Sequence, residues 1–400
     1  MAQPRHVCLV TEMPLVLDGR VLNQAYTLSH AGYKITLVEQ SALRRPDPLA
    51  ALHSRLPAWA VRSCRLVRLA AADAPFPPRL FAFLHKNARP LARHVVSHVL
   101  RGIHADVYQA RSLDTLRTVF PAAHNLGAAI VYDVRDFDTP HWLAGNPTAK
   151  QRRAVADEQR AIPFIAAMTT VNASLAALVA RQYHVSPPEV IRNCKLVGAE
   201  LPPDVPDLRR ELGLPATAPL LTFTGTTTVG RSLPVVIQAI GRLPDVHLAF
   251  VGITDRSGDL ARLAADAGAA SRVSFHLPVT AYEVPAYIRS ADAAIACIEP
   301  VNTNHASALP NKVFEAVAAH LPLIASDLPE MRRVVETYGL GAVFDPHDAG
   351  DLVRAITAVL ADRDRFHRNA IAASRELCWE REGEKVLAVY RRVTGAAVSR

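Results

Sequence analysis

Asn311, Lys312 and Glu315 are residue types that together hold an anion and a diol, and they fall within one helical turn. Pro310 stands where a helix would begin, because its fixed φ suits the first turn and no amide hydrogen is missed there. Val313, Phe314, Val317 and Ala318 recur at helical spacing and give one apolar face. Free amides at a helix start, with a lysine beside them, make an anion site. Glu315, one turn in, is placed to accept hydrogen bonds from neutral hydroxyls such as a ribose diol. The same spacing also fits an amphipathic helix carrying a solvated Lys–Glu pair.

Five other stretches carry usable chemistry. Thr224-Gly-Thr-Thr-Thr-Val-Gly-Arg231 follows an apolar run and precedes a helical one. Gly225 lets backbone amides approach a phosphate, Thr226 lies beside it, and Arg231 adds a permanently charged fork. It is neither a P-loop nor Gly-x-Gly-x-x-Gly. Leu277-Pro278-Val279 follows another strand. Asp18-Gly19-Arg20 joins the first strand to the first helix, where Asp18 serves equally as a helix cap. Arg111 to Asp114 and Tyr132 to Asp138 end two further strands. Asp136-Phe-Asp138 spells a three-letter metal motif, but three letters recur by chance, and no metal is expected.

These residues need strand tops and helix starts to hold them. In the first half, strands are expected at His6–Val10, Lys34–Glu39, Arg65–Leu69, Asp106–Ala110, Ala129–Val134, Ala167–Val171 and Glu189–Asn193. In the second half they are expected at Leu220–Thr224, Val246–Val251, Arg272–Phe275, Ala293–Ile298, Leu321–Ala325 and Gly341–Phe344. Helical patterns fill most gaps, and such alternation implies parallel, doubly wound α/β sheets. Two Rossmann-like domains with a cleft between them follow, with the proline-rich Leu201–Leu208 stretch as linker. Val301–Ser307 reads as a polar loop.

At 400 residues, two domains are the default. Cys8, Cys64, Cys194, Cys297 and Cys378 are scattered and odd in number, which suits reduced structural thiols. No apolar run approaches the ~20 residues of a membrane span. The first strand begins too early for a signal peptide, so cytoplasm is the expected compartment. The net charge of +8 favours anionic partners. Residues 74–105 contain no acidic residue, yet hold Arg79, Lys86, Arg89, Arg93 and Arg101 among Leu80, Phe81, Phe83 and Leu84. That suits an anionic membrane surface, or a solvated basic helix packed on the sheet. No recognition motif accompanies the charge, so nucleic acid is not an expected partner.

Pro310-Asn-Lys-x-x-Glu315, followed by Ala-Ala-x-x-Pro322-x-Ile-Ala-Ser-Asp-x-Pro-Glu330, resembles the nucleotide-sugar site of GT-B glycosyltransferases of the retaining, family-4-like kind. The resemblance implies that Asn311, Lys312 and the helix start hold a donor diphosphate, and that Glu315 holds the ribose. It implies Arg231 as a second diphosphate-binding base and a nucleobase read by the backbone of Pro278 and Val279. Asp18, Arg20, Arg111 and Asp114 would meet a hydroxyl acceptor. Arg135 and Asp136 would join Arg231 and Lys312 in catalysis, with no cofactor beyond the donor. It further implies a terminal helix that crosses back, giving domains 1–200 with 376–400, and 201–375. The chain departs from the family pattern at Arg135 for histidine, Asp136 for glutamate, Ser232 and His320 for glycine, and Thr226 for a second arginine. Arg135, Ser232 and His320 keep a silent binding subunit open as an alternative; a nucleotide-sugar epimerase on the same two-domain fold is the nearest enzyme alternative.

Overall fold

A computed structural model of the chain describes residues 5–40, 56–68, 89–137, 139, 145–197, 205–252 and 257–396. They form two compact units, Met1–Arg192 with Glu382–Arg400, and Asn193–Arg381. The described part of the expected linker, 205–208, therefore lies inside the second unit. Val205 packs on that unit's core and Leu208 is fully buried, so apolar side chains hold the end of the stretch in place. Residues 201–204 lie outside the described residues.

The first unit is built on seven parallel strands: β1 (His6–Thr11), β2 (Lys34–Glu39), β3 (Cys64–Arg68), β4 (Val107–Ala110), β5 (Ala129–Val134), β6 (Ala167–Thr170) and β7 (Glu189–Val190). Their order is β3-β2-β1-β4-β5-β6-β7. The second unit has six: β8 (Leu220–Thr224), β9 (His247–Val251), β10 (Val273–His276), β11 (Ala293–Ala296), β12 (Leu323–Ser326) and β13 (Gly341–Phe344). Their order is β10-β9-β8-β11-β12-β13. Central strands such as β1, β8 and β11 are buried along their whole length. A sheet covered on both faces requires this, and it explains why they read as continuous apolar runs. Each buried Leu, Val or Phe contributes roughly 1.5–3 kcal/mol of hydrophobic stabilisation.

In each sheet the strand order turns around once, between β1 and β4 and between β8 and β11. Such a switch point opens a crevice at the carboxyl ends of the two strands, where doubly wound sheets bind ligands. Helix α1 (Gly19–His30) starts from the first crevice, with Asp18 accepting the Val21 amide hydrogen as cap. Helix α2 (Arg89–Arg101) buries Val96, Ser97 and Leu100 and leaves His94 and His98 exposed. It is the described end of the basic stretch; residues 74–88, with Arg79, Lys86, Leu80, Phe81, Phe83 and Leu84, lie outside the described residues. Helix α3 (Leu113–Leu126) opens with a Ser112–Thr115 capping box. The loop expected at 301–307 contains a short helix, α4 (Thr303–Ala306), capped by Asn302. Helix α5 (Asn311–Ala318) starts after Pro310, as its sequence predicts. The last helix, α6 (Trp379–Ala396), belongs to the first unit from Glu382 onward. There Glu382 accepts from Arg192 Nε at 2.6 Å, and Tyr390 donates its hydroxyl to Gln109. No helix among the described residues is long and apolar enough to cross a membrane.

Arg20, expected at an acceptor surface, is instead turned into the first unit's core. Its Nε and Nη2 donate to both Asp133 oxygens at 2.7 Å, and Nη1 donates to the Ile191 carbonyl at 2.6 Å. Neither partner's side chain is solvent-exposed. The pair ties α1 to β5 and to the chain after β7, a structural task that withdraws Arg20 from any ligand. An exposed ion pair is worth about 0–1 kcal/mol, but stripping one partner from a buried pair costs roughly 3–5 kcal/mol. Arg20→Met should accordingly lower stability by about that amount, read as a shifted midpoint in urea denaturation.

Candidate functional site

In the second unit, three segments meet the β8–β11 crevice. The glycine-rich loop leaves β8, Glu299 follows β11, and α5 enters β12. Lys312, in the first turn of α5, is buried, with Nζ 4.3 Å from the centre of the Phe223 ring on β8. The backbone favours glycine at Gly225, whose φ is +106°; a Cβ added there would stand in ordinary contact, 3.7 Å from that Nζ. Burial, and then the charge of Arg231, lower the Lys312 ammonium to a pKa of about 8. The neighbouring Cys297 thiol is pushed up to about 12 by burial, with Lys312 and Arg231 pulling the other way. Two cations thus share a poorly solvated space beside the amides of a helix start.

The loop is held open by Glu299. Its carboxylate accepts the Ser232 amide hydrogen at 2.8 Å, and its own amide donates to the Gly230 carbonyl at 3.0 Å. His305 of α4 donates from Nδ1 to the Glu299 carbonyl at 2.9 Å and packs against Gly230, where an added Cβ would lie 2.8 Å from the ring. Thr226 is exposed on the loop. Thr227 is buried, and its hydroxyl has no hydrogen-bond partner among the described residues.

Glu315 is buried one turn into α5. Its Oε2 accepts from the Thr224 hydroxyl at 2.5 Å, and its Oε1 pairs with Lys195 Nζ at 2.9 Å. Burial would raise the Glu315 carboxyl, but Lys195, the Thr224 hydroxyl and Lys312 outweigh it and hold the group below its ordinary value. Asn311 accepts from the Asn193 amide. Lys195, Asn193, Thr224 and Glu299 were not among the residues expected from sequence. Thr224 and Glu299 were legible as strand ends; Lys195 and Asn193 carry no local signal, because their partners lie more than a hundred residues away. Pro278 and Val279 follow the edge strand β10, and Val279 packs on the core that includes Val313 and Phe314.

The first unit has its own cluster at the β1–β4 crevice. Arg111, after β4, pairs with Glu12 Oε1 at 2.5 Å and with Asp18 Oδ2 at 2.5 Å. Thr11 also donates to Asp18, at 2.7 Å, and Arg135 stands 3.7 Å from the other Asp18 oxygen. Burial alone would lower the Arg111 guanidinium, but Asp18 and Glu12, then Asp133 and Asp136, raise it above its usual value. Asp18, Arg111, Arg135 and Asp136 therefore share one electrostatic environment. Gly19 is the first residue of α1. Asp114 is exposed and pairs with Arg93 at 2.9 Å, a second expected acceptor residue with another partner. Asp138, half of the three-letter metal motif, lies outside the described residues.

Ser232 and His320, the two residues standing for family glycines, both have left-handed backbone, with φ of 49° and 59°. That conformation costs an L-residue roughly 1–2 kcal/mol and a glycine little. The Ser232 hydroxyl is also buried without a hydrogen-bond partner among the described residues. Relief of both outweighs the added chain entropy of glycine, so Ser232→Gly should raise stability by about 1 kcal/mol, seen as a higher melting temperature.

The family profile described as Glycosyl transferases group 1 matches residues 204–376. A D-inositol 3-phosphate glycosyltransferase of Xylanimonas cellulosilytica is 31% identical over 197 residues, which are 47% of this chain and 45% of that one. Its counterpart in Stackebrandtia nassauensis is 26% identical over 266 residues, 62% of this chain and 59% of that one. The chain spans about half the length of the curated relatives it matches. Among solved structures, sucrose-phosphate synthase from Thermosynechococcus elongatus has a TM-score of 0.72 at 17% identity, over 98% of this chain and 100% of that one. HepE of Anabaena has a TM-score of 0.68 at 15% identity, over 99% of this chain and 100% of that one. Two parallel Rossmann-like sheets of this kind make the GT-B fold, and residues 204–376 carry the similarity to the glycosyl transferases group 1 family.

Proposed function

We propose that the protein transfers a sugar from a nucleoside-diphosphate sugar to a hydroxyl acceptor, with retention of configuration. The observation that carries this reading is the crowding of Lys312 and Arg231 at the start of α5. Burial and the nearby Arg231 both disfavour the Lys312 charge, and a diphosphate is an anion of the right charge to offset this. The buried Thr227 hydroxyl on the same loop, without a hydrogen-bond partner among the described residues, adds a polar group for a ligand to satisfy. Glu315 keeps acceptor capacity beyond its two present bonds, since a carboxylate offers about four lone-pair positions, and ribose hydroxyls are suitable donors. HepE, one of the similar structures, was solved with UDP and glucose, which makes a UDP-linked donor the first to test.

In this reading the bond between the sugar's anomeric carbon and the diphosphate oxygen breaks. The acceptor oxygen bonds that carbon, and its proton passes to the departing diphosphate. Negative charge grows on that diphosphate, and Lys312, Arg231 and the α5 amides stabilise it where it grows. Asp18, Arg111, Arg135 and Asp136 are the acceptor-side candidates, with Asp136 orienting a hydroxyl. Contact with an anionic membrane is proposed for residues 74–105, on the strength of their one-signed charge.

Two experiments test the donor site. A ligand that binds only the native state must raise the melting temperature. A base-selective rise with one nucleoside diphosphate, lost in Arg231→Ala and Glu315→Ala, is expected; no rise with any nucleotide moves the reading to a silent binding subunit. The second uses pH. A bound diphosphate favours charged Lys312, whose pKa is about 8 in the free protein. Affinity for UDP should therefore be full below that value and fall as pH rises through it, by at most about tenfold per unit for one proton. Lys312→Arg, charged throughout this range, should bind with no such fall in calorimetric titration.

A further inference from the structure

Lys195 and Asn193 belong to no motif, yet both reach the face of α5 that carries the candidate site. Asn193 donates to Asn311, and Lys195 pairs with Glu315. The register is what makes this a built contact. Asn193 and Lys195 are two residues apart, about 6.6 Å along an extended chain; Asn311 and Glu315 are four apart, about 6 Å along one helix face. The extended segment thus matches one turn of α5, residue for residue. Its backbone is fixed from behind: Lys195 forms a β-bridge with Cys378, and its carbonyl accepts the Trp379 amide hydrogen at 2.8 Å. Lys195 is itself 7% exposed, so its ammonium has left water to serve a carboxylate that has also left water.

A buried carboxylate needs such a partner. Without one it takes up a proton, and a protonated Glu315 offers fewer positions for hydroxyl hydrogens. Thr224 occupies Oε2 from the opposite side, so Lys195 and Thr224 together fix the plane of the group.

We propose that Lys195 is a positioning residue for Glu315, and that selection of ribonucleotides over 2′-deoxyribonucleotides at this site depends on it. The inference rests on the donor-site reading above. It assigns Lys195 no contact with the reacting atoms. It does assign it the difference between a site that demands a diol and one that does not.

The test compares UDP with 2′-deoxy-UDP by calorimetric titration, from pH 5 to pH 8, on the full chain and on Lys195→Met and Lys195→Gln. The unaltered chain should favour UDP by about tenfold or more, the size expected when a buried acceptor loses its hydroxyl, with a ratio independent of pH. In both variants the ratio should fall toward one. It should also fall further as pH drops, because the unpaired Glu315 then titrates in this range, while 2′-deoxy-UDP affinity changes little. Equal weakening of both nucleotides with an unchanged ratio would overturn the proposal and leave Lys195 a purely structural residue. Should neither variant fold, the unaltered chain decides: a ratio that declines between pH 8 and pH 5 overturns it. Failure of the unaltered chain to bind either nucleotide overturns the donor-site reading itself, and is thereby told apart from failure at Lys195.

Discussion

Burying a cation next to another cation is unfavourable, and the second unit is arranged around that tension. Lys312 could lower its cost by reaching water or a carboxylate. Instead α5 holds it over the Phe223 ring, with Arg231 close by and Glu315 one turn further on, committed to Lys195 and Thr224. Each of these arrangements requires something else. The left-handed backbone of Gly225 favours a residue without a side chain, the loop after it requires Glu299 to keep its shape, and Glu315 requires an ammonium from a distant segment. On the proposed reading, a donor diphosphate would bring negative charge to this pair of cations.

The first unit handles its charges in the opposite way. Arg111 is ion-paired with Glu12 and Asp18, and Arg20 is held by Asp133 and the Ile191 carbonyl. Arg135 stands at a looser distance, 3.7 Å from Asp18. A crevice lined by compensated charge suits hydroxyls, which donate and accept without adding net charge. The two units thus differ in electrostatics as well as in sequence, although both place their polar residues at the same topological position of a parallel sheet.

Much of this was legible in the chain. Runs rich in apolar residues such as 129–134, 220–224 and 341–344 coincide with β5, β8 and β13, because helix-covered parallel strands are built mostly of apolar side chains. The start of α5 followed from Pro310, and that of α1 from Asp18. Arg20 was misread because nothing local distinguishes an arginine on the surface from one whose carboxylate lies 113 residues away. Lys195 was missed for the same reason. The border between the units fell at Arg192, not in the proline-rich stretch, since prolines punctuate a chain without telling which side of a core the next apolar residue will join. Ser232 and His320 are a different case. They departed visibly from the family pattern, and the backbone angles supply the reason a glycine is usual there.

The division of the chain has a consequence for its synthesis. The second unit is one unbroken segment, whereas the first is interrupted and needs residues from Glu382 onward. A ribosome therefore releases a complete second unit while the first, although begun earlier, still lacks the carboxylate for Arg192 and the tyrosine for Gln109. Domains fold as units and, in general, in order of emergence. Here the order of emergence and the order of completion are reversed, and the amino-terminal sheet must wait with an open flank until the last helix leaves the exit tunnel.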